Sequence, residues 1–381
     1  MSEGFTESFS ETAVRPVFLV DRSVFLSYSA YIRRVLVGLA GTSYAAALVC
    51  PSGMDPHAIL CPSVKRIEHP ALRLPIFWNQ NRKILVESLL RFKPTILHTF
   101  LPGQVHLAYW LSKKLQIPYV VTCHKNISHR NCFEISIRHA AKVIAPSKPI
   151  ADSLAQKCSY IQDRIEQIHI GGFVEDKCSC FSRGGHVASL IAVHPLNSVK
   201  IFVPFFNAVR HLVLDGFDVM VAIMGTGKAE KAIRAHIRKL GLTSIVTVVP
   251  PIRPIRSVLR GADIYLHLSD SGKFNAQLLE AMTVGLAVVG VQEETSGLLI
   301  EGETAVFWDP QDELNIYGCL KNMLGKREQS KHLAEKAQAH LRANHSVSRM
   351  VDKLMNTYIE AQQWHKQFLK TKDQTSVPAQ V

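Results

Sequence analysis

Short apolar runs alternate with helix-length amphipathic segments along this chain, and the alternation occurs twice. Nothing else in the sequence limits the fold so strongly. Residues 17–21 (VFLVD) read as a buried strand, residues 29–40 as a helix and residues 44–50 as the next strand. Strands at 95–98, 118–123, 142–145 and 165–170 follow, with helices at 104–115 and 148–158, the latter with Ser147 as its N-cap. Strands separated by helices of about ten to fifteen residues imply βαβ units and a parallel sheet. Residues 171–185 then bring four glycines and little periodicity, and read as an interdomain linker. The alternation restarts with strands at 188–193, 218–224, 245–249, 263–268 and 286–291, and helices at 201–214 and 229–240. In the latter helix Ile233, Ile237 and Leu240 share a face that stops at Gly241. A last helix begins at Ser346, with Val347, Met350, Val351, Leu354 and Tyr358 in register, and the tail from about Lys370 reads as unstructured. The pattern is that of two successive α/β domains.

Composition narrows the class. A chain of 381 residues with 47% hydrophobic and 20% charged residues is neither disordered, collagenous nor a coiled coil. Lys and Arg number 44 against 31 Asp and Glu, a net +13. Residues 1–170 hold 20 basic and 11 acidic side chains, a net +9. Such a surplus suits phosphate-rich partners or an anionic membrane surface, and a solvated basic surface accounts for it equally well. The eight cysteines do not form a disulfide scaffold and read as reduced thiols in a cytoplasmic protein. Cys178 and Cys180 are one C-x-C without matching ligands, so no metal site is expected. The polar, acidic start is unlike a signal peptide, and no run of 18 apolar residues exists.

Parallel sheets bind ligands beyond the carboxyl ends of their strands, at helix N-termini. Residues 261–289 (GADIYLHLSDSGKFNAQLLEAMTVGLAVV) are the richest such stretch. A strand ends at Ser269, a loop carries Lys273, and a helix opens near Asn275 with Glu280 in its second turn. Free amides of Asn275, Ala276 and Gln277 are expected to aim at a diphosphate, with the helix dipole behind them. Glu280 is a carboxylate among Leu278, Leu279, Ala281 and Met282, and suits ribose hydroxyls or an exposed helix face. No D-x-D, P-loop, H-E-x-x-H or G-x-S-x-G occurs, Gly225-x-Gly227 lacks a third glycine, and no aromatic-basic motif supports nucleic-acid binding.

The stretch resembles the donor signature of the retaining glycosyltransferases of family four, which have the GT-B fold. Ser269, Phe274, Glu280, Ala281, Met282, Gly285, Val288 and Val289 carry it. Gly225-Thr226-Gly227, Gly261-Ala262-Asp263, Gly302-Glu303-Thr304 and Asp309-Pro310 continue it, and in the first half Leu97-His98, Ile117-Pro118, Thr122-Cys123-His124 and Ala145-Pro146-Ser147 follow in order. The likeness spans roughly residues 15 to 365. It implies an α/β GT-B protein of two Rossmann-like domains facing across a cleft: an acceptor domain over 1–175, a nucleotide-sugar domain over 186–345, a helix over 346–368 crossing back, and a tail over 369–381. It further implies hexosyl transfer from a nucleoside-diphosphate sugar with retention, without metal or other cofactor. A glycan or lipid-linked acceptor is expected, and the +9 on the first half suits a lipid-linked or phosphorylated one at the inner membrane face. His124 and Lys200 take the catalytic positions. Lys273, Asn275, Ala276, Gln277, Glu280, Gly225 and Arg253 hold the donor, and Ser29, Ala30 and His98 the acceptor.

Several positions depart from the family pattern. Its first donor Glu is Gly272 here, its phosphate Arg is Pro195, and its N-terminal Gly-Gly loop is Ser29-Ala30. Asn275 replaces a glycine, Glu293-Glu294 stands in a later glycine loop, and Ala287 replaces a proline. Losing a charge that stabilises a leaving diphosphate costs on the order of 10² to 10³ in rate. Lys200, Lys273, His194 or Arg253 would fill that gap, and Asp270 that of the missing Glu. A catalytically silent relative kept as a binding or scaffold protein is the alternative, and a nucleotide-sugar epimerase a third reading. Arg253 or Arg256 turned into the site favours an active enzyme.

Overall fold

A computed structural model describes residues 14–42, 44–52, 63–69, 78–101, 103–125, 135–269, 274–293 and 296–375. The chain divides into two compact units, residues 1–170 with 347–381, and residues 171–346.

The first unit is built on a seven-stranded parallel sheet: β1 (Pro16–Leu19), β2 (Ala46–Pro51), β3 (Val64–His69), β4 (Ile96–Leu101), β5 (Tyr119–Cys123), β6 (Lys142–Ala145) and β7 (Ile165–Gln167), in the order β3-β2-β1-β4-β5-β6-β7. Central strands covered on both faces carry continuous apolar runs, and β4 is buried throughout. Helices α1 (Arg22–Gly41), α2 (Trp78–Phe92), α3 (Val105–Leu115), α4 (Ile135–Arg138) and α5 (Lys148–Lys157) follow their strands. Leu85, Leu89, Ala108, Leu111, Ile150 and Leu154 close one core over Val17, Leu19, Leu97 and Val121. Helix α1 starts at Arg22, earlier than the expected 29, because Asp21 accepts a 2.8 Å hydrogen bond from Val24 N. A break at Tyr28 (φ −125°, ψ 15°) divides it. Ser147 is the N-cap residue of α5 but makes no side-chain capping bond. The last helix, α12 (Val347–Thr375), packs on α1 where Gly38 leaves room: a Cβ there would sit 2.5 Å from Val351 Cγ2. It continues past residue 368 into the expected tail.

The second unit has a six-stranded parallel sheet: β8 (Ala188–Val193), β9 (Val219–Met224), β10 (Val246–Val249), β11 (Ile264–His267), β12 (Ala287–Gly290) and β13 (Val306–Phe307), in the order β10-β9-β8-β11-β12-β13. Its helices are α6 (Val203–Leu214), α7 (Glu230–Lys239), α8 (Ile255–Leu259), α9 (Ala276–Thr283), α10 (Glu313–Gly325) and α11 (Arg327–Asn344). Gly241 ends α7 at φ +73°, a left-handed turn suited to glycine. Residues 171–185 are not a free linker. Glu175 N bonds Thr283 O (2.9 Å), Ser179 N bonds Val284 O (3.1 Å) and Cys180 N bonds Gly285 O (2.9 Å). Phe181 N donates to Asp263 Oδ1 at 2.8 Å, and the nearly buried Asp263 also accepts from Ser189 N and His186 Nε2. The strap thus supplies backbone donors that satisfy the carbonyls at the end of α9.

The cysteines are not all free thiols. Cys158 is disulfide-bonded, whereas Cys50, Cys123, Cys178, Cys180 and Cys319 are free. No helix among the described residues is long and apolar enough to cross a membrane.

Candidate functional site

In the second unit all strands run parallel, so every loop leaving a strand opens at one edge. The strand order reverses at β8, making the gap beside β11 the switch point where such sheets bind ligands. His194 leaves β8 and Ser269 leaves β11, and they meet there: His194 Nε2 lies 2.8 Å from Ser269 Oγ. His194 Nδ1 is 2.7 Å from the Pro195 carbonyl, which only accepts, so Nδ1 carries the proton and Nε2 accepts from the Ser269 hydroxyl. Burial lowers the His194 pKa, against the opposing pull of the Pro195 carbonyl, and keeps this neutral form.

Gly225 and Gly227 serve this junction by packing. A Cβ on Gly225 would lie 2.0 Å from His194 O, and one on Gly227 would lie 2.3 Å from Leu196 O. The two loops are laced by His194 N to Met224 O (3.0 Å), Leu196 N to Thr226 O (3.0 Å) and Ala229 N to Leu196 O (2.8 Å). The glycine pair therefore brings two strand ends together, with the backbone itself as its closest neighbour.

The mouth of α9 corrects the expectation of free amides. Asn275 is its N-cap, and Asn275 Oδ1 accepts from Gln277 N (3.1 Å) and Leu278 N (3.0 Å). Asparagine is among the strongest N-caps, so a side chain standing where the resemblance has glycine fills the anion's place from within. Ala276 is half-buried and Gln277 exposed. Behind this cap lie His267 and Glu293, both buried, with His267 Nε2 at 3.5 Å from Glu293 Oε2. Glu293 Oε1 also accepts from Ser296 N at 3.2 Å. The sequence singles out Glu293 in a glycine loop and a histidine inside the apolar run IYLHLS, but not their pairing.

Glu280 is not an isolated helix glutamate. Its Oε2 lies 3.0 Å from Arg256 Nη1 and 3.2 Å from Thr283 Oγ1. Lys200 and Arg253 are exposed on the loops after β8 and β10, at the same sheet edge. Lys273, together with Asp270, Gly272 and Glu294, lies outside the described residues.

In the first unit His98 is fully buried in β4, with Nδ1 2.6 Å from Tyr358 Oη and Nε2 2.6 Å from Thr122 Oγ1. It is an internal hydrogen-bonding residue, and its expected acceptor contact is withdrawn because both ring nitrogens are satisfied. Burial, and secondarily His124, lower its pKa to about 3. Ser29 and Ala30 are half-buried within α1 just past the break at Tyr28, helical as the periodicity predicts, at the position of the family's Gly-Gly loop. His124, just after β5, is 1% exposed. Tyr28 stacks on it with centroids 4.2 Å apart, Phe100 stacks at 5.9 Å, and Tyr31 meets it edge-on. Neither ring nitrogen of His124 has a hydrogen-bond partner among the described residues, and burial lowers its pKa to about 3. A buried polar ring without partners is costly, and a ligand hydroxyl would satisfy it. Among the described residues no cluster of three or more His, Cys, Asp or Glu could hold a metal ion.

Comparison with known proteins decides the family. The model described as Glycosyltransferase Family 4 matches residues 29–171, and the model described as Glycosyl transferases group 1 matches residues 182–326. The chain belongs to the group 1 glycosyltransferases. A D-inositol 3-phosphate glycosyltransferase of Salinispora tropica is 25% identical over 320 residues, covering 71% of this chain. The chain spans 64% of the length of that relative. Among solved structures, a glycosyltransferase of Rickettsia africae superposes with a TM-score of 0.75 at 16% identity, over 91% of this chain and 98% of that one. HepE of Anabaena, crystallised with UDP, superposes with a TM-score of 0.70 at 16% identity, over 90% and 99%. These likenesses establish two Rossmann-like parallel-sheet domains of GT-B type.

Proposed function

We propose that this group 1 glycosyltransferase moves a hexosyl group from a nucleoside-diphosphate sugar to a glycan or lipid-linked acceptor, with retention and without a metal ion. One observation carries the reading. Among the described residues, the donor positions expected from the sequence gather on the loops and helix start at the carboxyl edge of one parallel sheet. The complexes of HepE with UDP and UDP-glucose support the donor class.

The anomeric C–O bond to the diphosphate breaks, the acceptor oxygen bonds the anomeric carbon, and the acceptor proton leaves with the departing group. Charge develops on the diphosphate. Because Asn275 occupies two amides of α9, exposed cations take a larger share of that charge, and Lys200 and Arg253, exposed on loops at the same sheet edge, are the side chains assigned to carry it. The α9 dipole adds to them. Glu280 holds the ribose hydroxyls. His124 meets a sugar hydroxyl with a ring nitrogen that otherwise lacks a partner. The basic excess of the first half favours a phosphorylated or lipid-linked acceptor, reached by a cytoplasmic protein peripheral to the inner membrane face.

The test is turnover of a panel of radiolabelled nucleotide sugars in the presence of a chelator, with Glu280→Ala as control. One sugar consumed at an undiminished rate, and slowly by the variant, is the expected result. Nucleotide bound without turnover on any acceptor class would instead identify a catalytically silent relative.

A further inference from the structure

Four charged side chains form a compact cluster beside α9. Arg256, on α8, gives Nε to Glu175 Oε1 (2.9 Å), Nη1 to Glu280 Oε2 (3.0 Å) and Nη2 to the Phe173 carbonyl (2.6 Å). Arg260 also donates to Glu175 Oε1, at 2.8 Å from Nε. Two guanidinium groups thus face two carboxylates, and Glu175 takes one Arg of its own. That leaves Arg256 Nη1 directed at Glu280 Oε2, on a side chain 15% exposed. Thr283 Oγ1, 3.3 Å from Arg256 Nη1 and 3.2 Å from Glu280 Oε2, closes the arrangement from the next turn of α9.

A glutamate on a short helix normally samples several rotamers, and a planar fork of donors selects one of them. We propose that Arg256 is a positioning residue, which holds the Glu280 carboxylate in the rotamer that accepts the ribose hydroxyls of the donor nucleotide. The assignment rests on the reading of Glu280 given under Proposed function. Four of the five N–H donors of Arg256 are directed at Glu175, Glu280, Thr283 and the Phe173 carbonyl, so it acts on the donor through Glu280.

The readout is ribose discrimination, which a merely structural role would leave unchanged. Titration calorimetry compares UDP, GDP and ADP with their 2′,3′-dideoxy counterparts on the full chain. The wild type is expected to prefer the ribose form by roughly 10- to 100-fold, the range for a charged hydrogen bond. Arg256→Met and Glu280→Gln should each abolish most of that preference, and the double variant should lose no more than Glu280→Gln alone. Glu175→Gln, which breaks the other half of the cluster, should keep it. If Arg256→Met does not fold, Arg256→Lys is read in its place and should show a reduced preference. A wild type that discriminates beside an Arg256 variant that discriminates equally overturns the assignment, as does a wild type that binds nucleotide without discrimination. A wild type that binds no nucleotide overturns the functional reading first, and this one with it.

Discussion

His124→Phe is expected to make the protein more resistant to acid and far slower in transfer. The buried ring packs against Tyr28 and Phe100 with neither nitrogen hydrogen-bonded among the described residues, so its polar atoms oppose the fold. The folded pKa of about 3 lies below the 6.5 of an exposed histidine. Between those values the unfolded chain binds the extra proton, so stability rises with pH and is lost as pH falls below about 6.5. At pH 5 that linkage amounts to about 2 kcal/mol for one fully buried histidine. Phenylalanine removes it. The variant should therefore gain about 2 kcal/mol over the wild type at pH 5 relative to pH 7.5, seen as a shallower pH dependence of the urea midpoint. His98, also lowered to about 3, keeps its own share of the slope. With the nitrogen proposed to meet the sugar gone, kcat should fall by about 10²-fold, in the range of a lost transition-state donor. An unchanged pH slope with turnover intact would contradict both roles of His124.

Gly225→Ala is expected to be among the most destabilising additions of a single methyl group in the second unit. The added Cβ would lie 2.0 Å from His194 O, a backbone atom, and the nearest side-chain atom, Leu196 Cγ, is at 3.3 Å. Overpacking usually costs about 1–3 kcal/mol, and a carbonyl that cannot rotate away puts this case at or above about 3 kcal/mol. Relief requires parting the loops after β8 and β9, which carry His194 and Pro195. Hydrogen exchange should quicken in β8 and β9, with nucleotide affinity falling alongside. Gly318→Ala, in α10 with nothing within 4 Å of the added carbon, is the control and should be neutral or slightly stabilising. Equal behaviour of the two variants would show that the glycine at 225 is not set by this contact.

The two sheets were legible because their buried strands are uninterrupted apolar runs. The missed elements lack that signal. β3 (VKRIEH) alternates charged and apolar residues near a sheet edge. α11 buries Ser330, Ala334, Ala337 and Gln338 beside Leu333 and Leu341, a face too small and polar to stand out by hydropathy. Within the site, Glu280 was found by its place in an apolar helix, but its partner was not. Arg256 lies 24 residues away, and only the fold brings α8 against α9. The reading of α9 as an open anion site failed at one residue. Asn275 is a strong capping side chain, and local capping outweighs the general tendency of helix mouths to bind phosphate. His98, at a strand end in the sequence, suits a packing residue better than an acceptor contact, and its bonds to Thr122 and Tyr358 make it the former.

The central claim is that the second unit holds a nucleoside diphosphate at the carboxyl edge of its sheet. Titration calorimetry of the full chain with UDP, GDP and ADP, in chelator, measures it directly. Saturable binding of one of them, weakened in the Lys200→Ala and Arg253→Ala variants, is the predicted result. Heats indistinguishable from dilution for all three at millimolar concentration would contradict the account.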